Sequence, residues 1–251
     1  MKLVKFLFRK QIKWGILKKD RLQVLQNCPY TNIVKTSQLI YLNKVKLLAP
    51  ADPSKIILVG LNYKDHAQEL KMKVPQEPII FLKPPTTLLN PNENIIYPKE
   101  VKQLDFEAEL AIVIKSKARN IAQNKTKNSI LGFTCLNDVT ARDIQKKDGQ
   151  WTRAKSFDSF CPVGPWLETD LNPDKLKINT YLNGKIKQDS HTGNFIFPVS
   201  YLVSFVSKIM TLNPGDIIST GTPAGIGPMK PGDKIQIEIE NIGILTNFIK
   251  N

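Results

Sequence analysis

The stretch Leu104-Asp105-Phe106-Glu107-Ala108-Glu109-Leu110-Ala111-Ile112-Val113-Ile114 decides how the chain is read. Apolar and β-branched residues dominate it and no Gly or Pro interrupts it, so it is predicted to be a single β-strand. Strand side chains alternate between faces. Phe106, Ala108, Leu110, Ile112 and Ile114 therefore form an apolar core face, opposite Glu107, Glu109, Ala111 and Val113. Two carboxylates side by side repel unless something positive lies between them. A hard divalent cation held by carboxylate oxygens meets that need. Bulk water meets it too, if this end of the strand emerges into solvent. Taken alone, Glu-x-Glu leaves both readings open.

Composition narrows the classes. The chain has 251 residues, 41% hydrophobic and 23% charged, which suits one large core or a main domain with an appendage and excludes global disorder. Cys28, Cys135 and Cys161 are too few and scattered for a disulfide framework, and no Cys-x-x-Cys pair points to thiolate zinc. A reducing compartment follows, and the cytoplasm is the expected location. The apolar runs of residues 1–10 are broken by Lys5 and Arg9-Lys10, so they read as a strand and turn and not a targeting peptide. No apolar run is long enough to span a bilayer, so no membrane partner is expected. The formal net charge of +14 is spread along the chain without a nucleic-acid-binding motif. Nucleic acid is therefore not an expected partner, whereas a small anionic substrate suits a positive field.

Along the chain, short apolar clusters over residues 1–50 suggest a small β-rich N-terminal unit. It ends at Pro50-Ala51-Asp52-Pro53, and residues 51–251 form the main domain. Residues 56–60 read as a buried strand. Asn62 is then expected to cap a short helix carrying Tyr63, His66, Glu69 and Leu70. His66 and Glu69, three apart, are neighbours on a helix face, the spacing at which a carboxylate orients an imidazole. An ordinary surface pair has the same spacing. Residues 71–78 read as a loop, and residues 79–83 as a strand with Lys83 at its end, stopped by Pro84-Pro85.

Residues 121–130 are expected to be helical and 131–136 a buried strand ending at Asn137-Asp138. A helix carrying Arg142 and Gln145 should follow, opened by Asp138 or Thr140. Residues 151–166 look irregular, with Lys155 among aromatic and small residues that would desolvate it. Cys161 reads as a packing thiol before a nucleophile. Asn183-Gly184 signals a hairpin, His191 a loop residue without a ligand-spaced partner, and residues 199–210 a helix. Pro-Gly-Asp occurs as a turn at 214–216 and again at 231–233. Between the two, the Gly-rich loop 221–227 offers backbone N–H groups to an anion but lacks a nucleotide-binding motif.

Six motifs in order carry a resemblance. They are Gly60-Leu61-Asn62-Tyr63-Lys64-Asp65-His66, Phe81-Leu82-Lys83-Pro84, Asp105-Phe106-Glu107-Ala108-Glu109-Leu110, Asn137-Asp138-Val139-Thr140-Ala141-Arg142-Asp143, Lys155-Ser156-Phe157-Asp158 and Thr220-Gly221-Thr222-Pro223-Ala224-Gly225. From about residue 56 to residue 247 the chain resembles the fumarylacetoacetate hydrolase superfamily, in particular its FAHD-type and bacterial 2-hydroxyhepta-2,4-diene-1,7-dioate isomerase-like members. The N-terminal unit resembles their small appended domain. The resemblance implies an α+β, β-rich fold, a mixed β-roll or barrel with a few flanking helices, usually a homodimer. It implies Mg²⁺ or Mn²⁺ on Glu107, Glu109 and Asp138, and a His66–Glu69 general base on a lid. It also implies that Lys155 stabilises developing negative charge, with Arg142, Gln145, Thr222 and Lys83 at the substrate.

The leading expectation is C–C bond hydrolysis of 2-oxo or 1,3-dioxo acids such as acylpyruvates. The alternatives are oxaloacetate decarboxylation or tautomerisation, and isomerisation or decarboxylation of 2-hydroxyhepta-2,4-diene-1,7-dioate. A non-catalytic scaffold is disfavoured, because Glu107, Glu109, Asp138, His66 and Lys155 are all present. Lys115 and Asn241 stand where the family often has Gly, which bears on loop geometry and not on chemistry.

Overall fold

Short runs of apolar and β-branched residues form strands that assemble, among the described residues, into three open sheets. The computed structural model describes every residue except Leu70, the one predicted helix residue that falls outside it. The first strands are β1 (Lys2–Phe8), β2 (Gln11–Lys18), β3 (Arg21–Leu25), β4 (Lys35–Tyr41), β5 (Lys46–Leu48) and β6 (Ile56–Gly60). Next come β7 (Ile79–Lys83), β8 (Leu88–Leu89), β9 (Asn94–Ile96), β10 (Leu104–Phe106), β11 (Ala108–Ile114), β12 (Ile130–Asn137) and β13 (Thr140–Ala141). The last are β14 (Cys161–Glu168), β15 (Lys177–Leu182), β16 (Lys185–His191), β17 (Ile217–Ser219), β18 (Gly227–Met229), β19 (Lys234–Ile239) and β20 (Gly243–Lys250). Four α-helices accompany them: α1 (Lys64–Glu69), α2 (Arg142–Asp148), α3 (Thr152–Lys155) and α4 (Val199–Ile209).

The main sheet has twelve strands, in the order β4-β3-β2-β1-β14-β12-β11-β17-β6-β7, with β5 on β1 and β8 on β14. A three-stranded sheet (β13-β10-β18) and a five-stranded one (β16-β15-β19-β20-β9) complete the fold, and no barrel closes among the described residues. The strands of residues 1–50 continue the main sheet, because Lys2 and Leu3 of β1 pair with Glu168 and Leu167 of β14. No described helix is long and apolar enough to cross a membrane.

The alternation read in residues 104–114 holds through β11. Ala108, Leu110, Ile112 and Ile114 pack in one core with Val199, Val203 and Val206 of α4. Ala111 and Val113 pack in a second core with Leu3, Trp14 and Ile16 of the N-terminal strands. The expected single strand, however, breaks at Glu107. The backbone N–H of Glu107 donates to the Asn137 side-chain oxygen at 2.9 Å, and its carbonyl accepts from the N–H of Asp138 at 2.8 Å. These partners replace a regular ladder, so β10 leaves for the three-stranded sheet while β11 stays in the main one.

Other expectations shift in similar ways. Asn62 caps no helix: its side chain donates to the carbonyls of Phe197 (3.1 Å) and Thr220 (2.8 Å) and accepts from Phe197 N–H. A buried amide with three backbone partners available is better satisfied there than at a six-residue helix. Neither Asp138 nor Thr140 caps α2, whose N-cap position is Ala141 without a side-chain cap. The helix expected over residues 121–130 is a 3-10 turn, Gln123–Ser129, and the segment expected to be irregular contains α3 and β14.

Turn chemistry was read correctly. Asn183 and Gly184 have φ of 52° and 77°, the pattern of a type I′ hairpin. In both Pro-Gly-Asp turns the Asp carboxylate accepts a backbone N–H three residues back, from Asn213 or Lys230, at 2.8 Å. Asn241 adopts φ 65°, a left-handed conformation that Asn tolerates, so the family glycine is not required there.

Candidate active site

Three carboxylates meet at the seam between sheets. Glu107 occupies the break, Glu109 follows on β11, and Asp138 lies just past β12, placed by its backbone bond to Glu107. All three are buried, and one oxygen from each lies within 4.8 Å of the others. They line a cavity of about 330 Å³ together with His66, Arg142, Gln145, Lys155 and Thr222. The sequence reading therefore gathers nine of its ten site residues around one space, with Glu69 joined through His66.

The tenth, Lys83, is not among the lining residues. It is fully buried at the end of β7, where its ammonium lies 2.5 Å from Asp138 Oδ1. It also donates to the carbonyls of Val139 and Phe160, and so holds Asp138 from beneath.

Charge is distributed unevenly among the three acids. Lys155 Nζ donates to Glu107 Oε2 at 2.8 Å and to Asp138 Oδ2, while Arg142 binds Glu107 Oε1 and, at 2.8 Å, Asp105 Oδ2. Burial pushes the Glu107 carboxyl up, but the charges of Lys155 and Arg142 outweigh burial and hold it at about 2. Burial likewise opposes charge on Lys155, and the facing Asp138 and Glu107 overcome it, so its ammonium is stabilised. Glu109 is different. Its partners are the Ser219 hydroxyl and the Gly221 N–H at 2.9 Å, and no described cation bridges to it. Burial and then the charge of Asp138 push its carboxyl up to about 8.

The donor set fits a hard divalent ion. Oxygen ligands are what Mg²⁺ or Mn²⁺ takes, Glu109 lacks a positive partner, and Asp138 Oδ1 accepts no well-aligned hydrogen bond despite its proximity to Lys83. Glu107, Glu109 and Asp138 are the residues that would hold it.

On the opposite wall, His66 Nδ1 meets Glu69 Oε2 at 2.8 Å, and Glu69 Oε1 accepts from Gly225 N–H at 3.0 Å. A carboxylate oxygen accepts, so the contact favours the tautomer with the proton on Nδ1, in which Nε2 of the neutral ring is the basic nitrogen. The Gly-rich loop thus spends the N–H groups of Gly221 and Gly225 on the protein's own carboxylates and not on a bound anion. Phe81, Trp151, Met72 and Ile79 supply apolar wall. Cys161, buried with its thiol pushed up to about 12 by burial, is a packing residue.

Several supporting residues escaped the sequence reading: Asn137 at the seam, Asp105 on Arg142, Ser219 on Glu109, and Asp65, whose carboxylate accepts from Ser190 Oγ at 2.5 Å. Asp105 and Asn137 were within the quoted motifs; Ser219 and Ser190 carried no signal. Gln188 reads from sequence only as a hairpin residue.

A family model for fumarylacetoacetate (FAA) hydrolase C-terminal matches residues 55–250, and one for Rv2993c-like, N-terminal, matches residues 1–50. The mitochondrial oxaloacetate tautomerase Fahd2a of Rattus norvegicus is 43% identical over 223 residues, covering 84% of this chain and 71% of its own. The crystal structure of 5-carboxymethyl-2-hydroxymuconate delta-isomerase from Mycobacterium smegmatis superposes with a TM-score of 0.94 at 40% identity, covering 100% of this chain and 99% of that one. That of 2-hydroxyhepta-2,4-diene-1,7-dioate isomerase from Mycobacterium marinum gives 0.93 at 40% identity, covering 100% and 98%. With that C-terminal model spanning most of its length, the chain belongs to the fumarylacetoacetate hydrolase family.

Proposed function

We propose that this protein is a divalent-cation-dependent tautomerase or isomerase of small 2-oxo acids, with oxaloacetate the first substrate to test. The observation that carries the reading is the cavity floor, where the Lys155 ammonium is held between Glu107 and Asp138 while Glu109 is left without a cation. A 2-oxo acid moves a proton between carbon and oxygen through an enolate, so charge develops on the former keto oxygen. A Mg²⁺ or Mn²⁺ on the three carboxylates would supply Lewis acidity towards that oxygen. Lys155 adds fixed positive charge from a dry setting. Its carboxylate neighbours keep it protonated, so it stabilises the enolate and is unsuited to abstracting a proton. That task falls to His66 Nε2, with Nδ1 anchored on Glu69. Arg142 and Lys146 place positive charge at the cavity for carboxylate groups of the substrate.

Hydrolytic C–C cleavage of acylpyruvates, the leading expectation from sequence, becomes the second reading. The His66–Glu69 dyad supports it, since the same geometry activates a water. The named relatives are a tautomerase and isomerases, which favours proton transfer.

The deciding experiment presents the enol form of oxaloacetate, 2-hydroxyhepta-2,4-diene-1,7-dioate and an acylpyruvate to the protein with Mg²⁺ or Mn²⁺ and with EDTA. Faster loss of the ultraviolet absorbance of the enol, only with metal, is the expected result. Acylpyruvate cleavage without enol turnover would reverse the order of the two readings.

A further inference from the structure

Gln188 lies in the middle of β16, fully buried, behind the cavity wall. Its Oε1 accepts from Ala108 N–H at 3.1 Å and from Thr180 Oγ1 at 2.7 Å. Its Nε2 donates to Thr222 Oγ1 at 2.8 Å and to the Pro223 carbonyl at 2.9 Å. The orientation of the amide is not open to reversal: a backbone N–H can only donate to Oε1, and a carbonyl can only accept from Nε2. Every hydrogen-bonding position of Gln188 is therefore used, and the Thr222 oxygen is obliged to accept. Thr222 lines the cavity and is 5% exposed. Its own O–H hydrogen has no acceptor among the described residues.

We propose that Gln188 is a positioning residue that commits the Thr222 hydroxyl hydrogen to the cavity, making Thr222 a donor to a carboxylate oxygen of the substrate. A free threonine hydroxyl rotates and serves equally as donor or acceptor. With a lone pair tied to a fixed amide, it presents hydrogen to the ligand and discriminates for an anion. The inference rests on the reading that the substrate carries a carboxylate, but not on which reaction follows. Ala108, the other backbone partner of Gln188, stands between Glu107 and Glu109, so the test has to separate an effect through Thr222 from one through the metal-binding strand.

The probe is oxalate, titrated calorimetrically into the full-length protein with Mg²⁺, and separately Mg²⁺ alone. Gln188→Met removes all four bonds, and Gln188→Leu does the same with a branched side chain of similar volume, neither adding a charge. Both should weaken oxalate binding about tenfold, the scale of one hydrogen bond to a charged group. Mg²⁺ affinity should stay within about threefold, because the three carboxylates are untouched. Thr222→Val should weaken oxalate equally, Thr222→Ser should retain it, and Gln188→Met should add nothing in the Thr222→Val background.

Any one of three results overturns the proposal: wild-type affinity for oxalate in Thr222→Val or in either Gln188 variant; a further loss when Gln188→Met is added to Thr222→Val; or a parallel loss of Mg²⁺ affinity. The Thr222 variants keep the test decisive if Gln188→Met does not fold. Oxaloacetate turnover is measured separately, so a wrong reaction with intact oxalate results would sink the proposed function alone.

Discussion

Glu109 is the acid that the surrounding cations leave alone, and its replacement separates metal binding from folding. Glu109→Gln should lower Mg²⁺ affinity by more than about 100-fold, beyond the 10–100-fold usual for residues that only support a ligand. The circular dichroism spectrum should not change, because the amide keeps the shape and can still accept from Gly221 N–H. Equal Mg²⁺ affinity by calorimetry would remove Glu109 from the ligand set. His66→Gln should reduce turnover of whichever 2-oxo acid is processed by about 10²–10⁴-fold, the range for a lost general base. Steady-state kinetics check this, and retained kcat would assign proton transfer elsewhere. At this scale the sequence was informative where chemistry concentrates in motifs. Glu107, Glu109, Asp138, Lys155 and His66, which the family resemblance singles out by their motifs, line one cavity. Lys83 stands outside the cavity lining and against Asp138, a difference the sequence does not carry, because a lysine at a strand end looks the same whether it faces a cavity or props a carboxylate. Gln188 was invisible because an amide within a strand has no signature until its four partners are known.

Among the elements, β16 and the loop of residues 221–227 act together on α1. Gly225 has φ +95°, and a Cβ there would come within 2.3 Å of the Lys187 carbonyl on β16. Gly225→Ala should therefore cost more than about 2 kcal/mol of stability, combining left-handed strain with a backbone clash. It should also displace the N–H that holds Glu69, so the loss of activity should exceed that explained by unfolding. Chemical denaturation with parallel activity measurements below the transition checks both parts. The hairpin itself was legible, since Asn-Gly demands one turn type. The break at Glu107 was not: alternation of side chains continues straight across it, and the cause is the Asn137 side chain, thirty positions away. Local pattern cannot report a partner that arrives through tertiary structure.

For the whole molecule, the buried acids set the pH response. Glu109 titrates at about 8 when folded against an ordinary value of 4.5. Between those limits the folded state keeps a proton that the unfolded chain has released, so metal-free stability should fall as pH rises from about 5 to 8. Glu107, held at about 2, acts oppositely: its contribution is present above the ordinary range and is lost as pH falls from about 4.5 towards 2. Thermal melting in EDTA should show both slopes. Glu109→Gln should flatten the first, and Mg²⁺ should raise the melting temperature most at the alkaline end. Removal of residues 1–50 should leave an insoluble remainder, since it uncovers the β14 edge and the core of Leu3, Trp14 and Ile16. A soluble, cooperatively melting 51–251 fragment would show an independent domain.

The β-rich class with few helices was legible from many short apolar runs, whereas the join between β1 and β14 was not, because nothing local marks the two edges as partners. The seam at Glu107 has a mechanical consequence as well. Glu107 sits at the joint between two sheets and Glu109 on the β11 side of it, so a cation held by both would act as a rivet across that joint. Amide exchange at Glu107 and Asp138, whose N–H bonds stitch that joint, should slow on adding Mg²⁺ by more than exchange in the interior of β11.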